Sequence, residues 1–258
     1  MEHQHAPWTR AETLVAFNAY CKIPFQASRS THPLVVRYAT LLGRSPGALN
    51  MKIGNIGRSD PELQRRGITG LRHGASLEKE IWAEFWEAPE KIVYESEQII
   101  AGLMKSPDNA ISPFEHSENE PNSGERTVIA KQRIGQSFFR AAVLSAYSEG
   151  CCISGVKSPN LLQACHIISW QEAPTLRVNP TNGLCLNPFF HKAYDENLIA
   201  ISPDCDVLVS DELLENAKEP NFKGYLIGLQ RKKIILPNRF FPNREFLDYH
   251  YQQYLNRR

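Results

Sequence analysis

Three segments in the second half of the chain hold the side chains best suited to chemistry. They are His166 in the apolar run LLQACHIISW, Asn182 in NPTNGLCL, and His191 in FFHKAYDENL. Asp195 follows His191 by four residues, so on a helix both side chains project from one face. An imidazole and a carboxylate presented together can hold one divalent cation. His166, on a strand facing that helix, would stand beside the cation rather than on it. Its imidazole titrates near neutrality and can take a proton from water next to a metal-held phosphate. The metal would neutralise charge on the phosphate and on the departing oxygen. Those parts suffice for phosphodiester hydrolysis.

Each residue also has a plainer use. A strand histidine is commonly a satisfied core residue, Asn182-Gly183 is an ordinary turn pair, and His191 with Asp195 can be a surface pair on a helix. The combination, with the sequence around it, favours the chemical reading. The six cysteines (Cys21, Cys151, Cys152, Cys165, Cys185 and Cys205) contain no CxxC pair. Zinc sites built on thiolates usually announce themselves by such pairs, so structural zinc is not expected and buried packing is.

The stretch CISG, LLQACHIISW and NPTNGLCLNPFFHKAYDENLI resembles the HNH endonuclease family, the ββα-metal group of many bacterial restriction and defence nucleases. A looser similarity continues through IILPNRFFPNREFLDYHYQQYL, so the resemblance covers roughly residues 152–255. It implies that His166 is the general base and that Asn182 holds the loop and orients the base or completes the metal shell. It further implies that His191 is a metal ligand and that Asp195 is a second one, where some relatives place another histidine. Many relatives carry Asp or His as a ligand just before the catalytic histidine; here that residue is Cys165. Either Cys165 packs inward and Asp195 supplies the missing oxygen, or the metal preference differs. The first is expected, because hard oxygen ligands suit Mg²⁺ or Mn²⁺. The resemblance also implies double-stranded DNA as substrate, 5′-phosphate and 3′-hydroxyl products, and restriction of foreign or modified DNA as the setting.

Periodicity supplies the elements that must position these groups. Ser137–Ser148 reads as a helix leading into a CCISG turn, and Leu161–Trp170 reads as a strand. NPTNGLCL reads as a second strand, and Pro188 opens a helix over FFHKAYDENL. Further strands are expected at Leu198–Ser202, Val207–Ser210 and Lys233–Leu236, with a last helix over Arg244–Leu255. Arg177, Lys192 and the Arg231-Lys232-Lys233 cluster are candidate phosphate contacts. His3, His5, His32, His73, His116 and His250 have no metal spacing and read as surface or packing residues.

The first half reads as short helices. Thr9 and Glu12 form a capping-box signature, Pro33 opens a helix ending at Gly43, Ser45-Pro46 opens a third, and Pro89 bends or divides a long one over Leu77–Leu103. Residues 8–57 weakly resemble a Myb- or SANT-like helix-turn-helix. On that reading Arg44, Asn50, Lys52 and Asn55 are candidate base or phosphate contacts. The alternative is a helical bundle used for packing or dimerisation, with Leu49 and Met51 in its core.

At roughly 100–200 residues per domain, 258 residues suggest one large or two modest domains. The polar, Pro- and Ser-rich stretch between Lys105 and Arg126 reads as a linker. The expected organisation is a helical domain over 1–104, a linker over 105–126, and an α+β nuclease domain of ββα-metal type over 127–258. Hydrophobic content of 42% excludes a disordered chain, and no run approaches the ~18 apolar residues of a membrane helix. The opening MEHQHAPWTRAETL lacks the basic-then-apolar run of a signal peptide, so a cytoplasmic location is expected.

The formal charge of +1 hides a pattern. Arg10–Arg72 carries ten basic and three acidic side chains, net +7, whereas Gly74–Leu103 carries two and seven, net −5. From Lys131 onward the balance is fifteen to twelve. Segment by segment, the charge points toward nucleic acid. The expected protein is thus a metal-dependent DNA endonuclease, acting as a homodimer if both strands are cut. Its rivals are an effector nuclease whose N-terminal domain senses a signal or partner, a non-catalytic DNA-binding module, and a zinc-stabilised interaction protein built on Cys151, Cys152, Cys165 and Cys185.

Overall fold

The computed structural model describes residues 6–67, 76–105 and 123–257. The chain divides into two compact units, Met1–Ala142 and Val143–Arg258. His3, His5, Arg72, His73 and His116 lie outside the described residues, as do residues 106–122 of the expected linker. No helix among the described residues is long and apolar enough to cross a membrane.

The first unit is helical, and its helices begin where local chemistry says they should. Helix α1 (Arg10–Lys22) starts from the Thr9–Glu12 capping box, in which each side chain takes the other residue's backbone N–H. Helices α2 (Pro33–Leu41) and α3 (Pro46–Gly57) each open on a proline, whose missing N–H has no intrahelical partner to lose. Gly43 adopts φ +64° after α2, a conformation that costs a side-chain-bearing residue. The short helix α4 (Pro61–Arg65) follows. Pro89 divides the expected long helix into α5 (Ser76–Glu87) and α6 (Pro89–Lys105). The core centres on Phe17, Tyr20, Trp82 and Phe85, with the Phe17 and Phe85 ring centroids 4.9 Å apart. Helix α7 (Ser123–Ala146) begins earlier than the Ser137 start expected from periodicity, and residues 123–126 of the expected linker are its first turn.

The second unit is α+β. Strands β1 (Gln163–His166) and β2 (Gly183–Leu186) pair antiparallel, with Cys165 opposite Leu184 and His166 opposite Gly183. Helix α8 (Pro188–Asp195) follows immediately, capped by the Asn187 side chain, and packs against β1 and β2. This is the ββα order that the sequence suggests. A second antiparallel pair, β3 (Ile199–Ile201) with β4 (Val207–Val209), packs against α8 and α11 and is buried almost throughout. Helices α9 (Asp211–Asn216), α10 (Pro220–Leu229) and α11 (Arg244–Asn256) complete the unit.

Three expectations need correcting. The strand expected over Leu161–Trp170 keeps only four residues, because the chain beyond His166 turns to meet the Asn182 side chain. The strand expected over Lys233–Leu236 is absent: Lys233 makes one isolated bridge to Asp206, and the Ile234 and Ile235 N–H groups then donate to Cys205 and Cys152 on two different segments. Helices α9 and α10 were not expected, although Ser210 and Glu219 cap them and Pro220 opens the second.

Candidate metal centre and active site

Residues two apart on a strand share a face, as do residues four apart on a helix. Gln163 and Cys165 on β1 therefore meet His191 and Asp195 on α8 as two matched pairs. The Gln163 carboxamide oxygen bonds the Nδ1 of His191, and Cys165 Sγ lies 3.7 Å from Asp195 Oδ1. His191 Nε2 lies 3.4 Å from Asp195 Oδ2. A carboxamide oxygen can only accept, so Nδ1 of His191 carries the proton and Nε2 presents its lone pair beside the carboxylate. One donor atom from each of Cys165, His191 and Asp195 falls within 4.8 Å of the others. Among the described residues this is the group able to hold a metal ion. Asp195 is half exposed, His191 a quarter exposed and Cys165 fully buried, so the group opens to solvent on its carboxylate side.

His166 lines the same cleft, of about 390 Å³, together with His191, Asp195, Trp170, Glu172 and His250. Its Nε2 lies 3.0 Å from the carbonyl of Arg177. A carbonyl only accepts, so Nε2–H donates and Nδ1 is the basic nitrogen. The Trp170 ring stands edge-on to the imidazole at 5.6 Å. Burial pushes the pKa of His166 down, with His191 acting in the same direction and the Arg177 carbonyl and Asp195 opposing. Burial thus favours the neutral imidazole, the form that accepts a proton.

Asn182 is 1% exposed, and its side chain is spent on the backbone. Its Oδ1 accepts the Ile168 N–H at 2.8 Å and its Nδ2 donates to the Ile168 carbonyl at 2.9 Å. The asparagine fixes the chain directly after His166. Of the roles expected for it, this geometry serves loop-holding.

Residues 151–202 match the family model of HNH endonucleases. The C-terminal unit contains an HNH endonuclease domain. The match spans β1, β2, α8 and β3, and includes His166, Asn182, His191 and Asp195. No curated protein matches the sequence.

Most of the remaining candidates have partners of their own. Arg177 stacks its guanidinium over Trp170 at 5.0 Å and donates from Nε to the Trp170 carbonyl, so it braces the wall beside His166. Lys192 is exposed and paired with Glu196 one turn on. In the other unit, Arg44 and Lys52 require correction as surface contacts. The Arg44 side chain is 3% exposed, pairs with Glu12 at 2.7 Å and also bonds the carbonyls of Ala6 and Pro7. Lys52 is 5% exposed and pairs with Glu78 at 2.8 Å. Both cations sit over the Trp8 ring. Asn50 accepts from the Ser28 hydroxyl, and Asn55 is half-buried. Leu49 is core as the bundle reading has it, whereas Met51 is 58% exposed.

Sequence reasoning passed over Gln163, Glu172 and Trp170, and read His250 as a surface or packing residue; it is buried and stacked on Tyr194 as well as lining the cleft. Gln163 was findable, since it lies two residues before Cys165 on the same strand face. Trp170, Glu172 and His250 reach the cleft only through tertiary packing.

Proposed function

We propose that the protein is a metal-dependent endonuclease that hydrolyses phosphodiester bonds in double-stranded DNA. The observation that carries this reading is the meeting of His166 with the His191 and Asp195 donors around one cleft, with Cys165 buried within reach of those two donors, inside the HNH segment. His191 and Asp195 would hold a divalent cation, and their imidazole and carboxylate donors fit one. Mg²⁺ and Mn²⁺, the ions expected on oxygen donors, are the first to try. When bound, the cation supplies charge neutralisation at the phosphate and the departing oxygen. His166 takes the proton of the attacking water at Nδ1, while its Nε2–H stays on the Arg177 carbonyl and fixes the ring. Asn182 keeps the β1 exit in place so that this ring does not drift. The products on this route carry 5′-phosphate and 3′-hydroxyl ends.

Resemblance to restriction-type nucleases supports foreign or modified DNA as the target and the cytoplasm as the place of action. Cutting both strands with one centre per chain supports a homodimer. One observation favours a second reading for the N-terminal unit. Arg44 and Lys52, the charges expected to touch DNA, are enclosed in ion pairs, which suits a unit that senses a signal or partner.

The test is plasmid cleavage by the full chain with Mg²⁺, Mn²⁺, Zn²⁺, Co²⁺ or chelator, on unmodified and modified DNA, followed by end sequencing. Metal-dependent nicking is expected, abolished by His166→Ala with DNA binding nearly intact. Full activity in that variant removes His166 as the base, and absence of cleavage by the wild type under every condition overturns the nuclease reading.

A further inference from the structure

We propose that Cys165 is the third protein ligand of the HNH centre, so that this site selects a thiophilic divalent cation such as Zn²⁺ or Co²⁺ over Mg²⁺. The inference rests on the metal-dependent reading above and deepens it by naming the class of cation. Cys165 occupies the position just before the proposed base, and its buried thiol faces Asp195 on α8. Sγ lies within hydrogen-bonding range of the His166 carbonyl, at 3.5 Å, and of the Asp195 carboxylate, at 3.7 Å.

The spacing of the donors fits a small four-coordinate ion. Zinc–sulfur bonds of about 2.3 Å and zinc–nitrogen or –oxygen bonds of about 2.0–2.1 Å place tetrahedral ligand atoms roughly 3.3–3.6 Å apart. Sγ lies 3.7 Å from Asp195 Oδ1 and Nε2 lies 3.4 Å from Oδ2, the other oxygen of that carboxylate, and one donor atom from each of the three residues falls within 4.8 Å of the others, so a ligand-sized adjustment closes the set on a small ion. An octahedral Mg²⁺ shell at about 2.0–2.1 Å brings neighbouring ligand atoms to roughly 3 Å and prefers oxygen throughout. Three protein ligands with one position open to the cleft is the arrangement of catalytic rather than structural zinc. Charge agrees as well. A thiolate and a carboxylate neutralise a divalent ion, with the thiol proton released to solvent on binding. Gln163 completes the shell by holding His191 in the tautomer that offers Nε2.

The experiment is Co²⁺ titration of the full chain followed by absorption spectroscopy, with calorimetric titration of Zn²⁺ and Mg²⁺ alongside. A sulfur-to-cobalt charge-transfer band in the near ultraviolet is expected at one equivalent, absent from both Cys165→Ser and His191→Ala. Changes outside the ligand shell already cost about 10–100-fold in metal affinity, so Cys165→Ser should weaken Zn²⁺ at least about tenfold. Cys165→Asp should shift preference toward Mg²⁺. If the cysteine variants do not fold, X-ray absorption at the zinc edge of the wild type still decides, since one sulfur scatterer is expected. His191-dependent metal binding without the band, or without sulfur at the zinc, overturns the role of Cys165 and leaves the nuclease reading standing. No His191-dependent binding of any of these ions overturns both.

Discussion

With both ends of its carboxamide on the Ile168 main chain, Asn182 acts on the segment that carries His166 rather than on anything bound in the cleft. Removing a buried partner leaves the other group desolvated and unpaired, at about 1–3 kcal/mol. Asn182→Ala strands both the N–H and the carbonyl of Ile168 in this way. The expected outcome is a loss of about 2–4 kcal/mol in stability by chemical denaturation. A drop in kcat should accompany it, with metal affinity nearly unchanged by calorimetry. A tenfold loss of metal affinity would instead place Asn182 in the metal shell, the other role open to it from sequence. His191 and Asp195 divide differently: their side chains face one another at 3.4 Å and point outward, so they are available to a ligand in a way Asn182 is not.

At the scale of elements, the site depends on α11 as much as on the ββα core. His250 of α11 stacks flat on Tyr194 of α8, with ring centroids 3.5 Å apart, and its Nε2 lies 3.0 Å from the Tyr194 carbonyl. Nε2 must therefore donate, and Nδ1 is buried with no hydrogen-bond partner. Burial pushes its pKa from 6.5 down to about 4, opposed by the Tyr194 carbonyl and by the charge of Glu172. Between those values the unfolded chain binds a proton that the folded chain refuses, so stability is full above pH 6.5 and falls as pH drops toward 4. The loss attributable to this residue is at most about 3 kcal/mol. Thermal unfolding from neutral to mildly acidic pH should show His250→Phe losing part of the wild-type dependence; equal slopes would mean that another group titrates. The histidine's role was not legible in the sequence, because its partner lies 56 residues away on another helix. What was legible is local: caps at Thr9, Ser45 and Asn187, the His191–Asp195 spacing, and the order strand, strand, helix. The Lys233–Leu236 segment misled because apolar, β-branched residues say nothing about whether a ladder partner is present.

Across the whole molecule, the alternation of basic and acidic segments has a different meaning once the ion pairs are known. Of the nine described bases between Arg10 and Arg66, at least five pair with carboxylates: Arg10 with Glu84 and Glu95, Lys22 with Glu97, Arg44 with Glu12, Lys52 with Glu78, and Arg65 with Glu62. Three of the five take their partners from α5 and α6, the acidic segment itself. The +7 and −5 blocks thus answer one another in part inside the N-terminal unit, and the charge offered to a polyanion is smaller than the sequence suggests. The Lys52–Glu78 pair allows a decisive comparison. Removing one partner of a buried pair costs about 3–5 kcal/mol, whereas replacing both with apolar groups of similar size is often neutral or stabilising. Lys52→Ala alone should therefore lower the melting temperature, and the double variant Lys52→Met/Glu78→Leu should restore it. DNA affinity of the restored double variant, measured against salt, then reports on function apart from folding. Each phosphate contact contributes about 0.9 to the slope of log affinity on log salt for duplex DNA. An unchanged slope is the expected result for a lysine that holds the bundle together. A slope shallower by about one would return Lys52 to the phosphate backbone and the N-terminal unit to DNA reading.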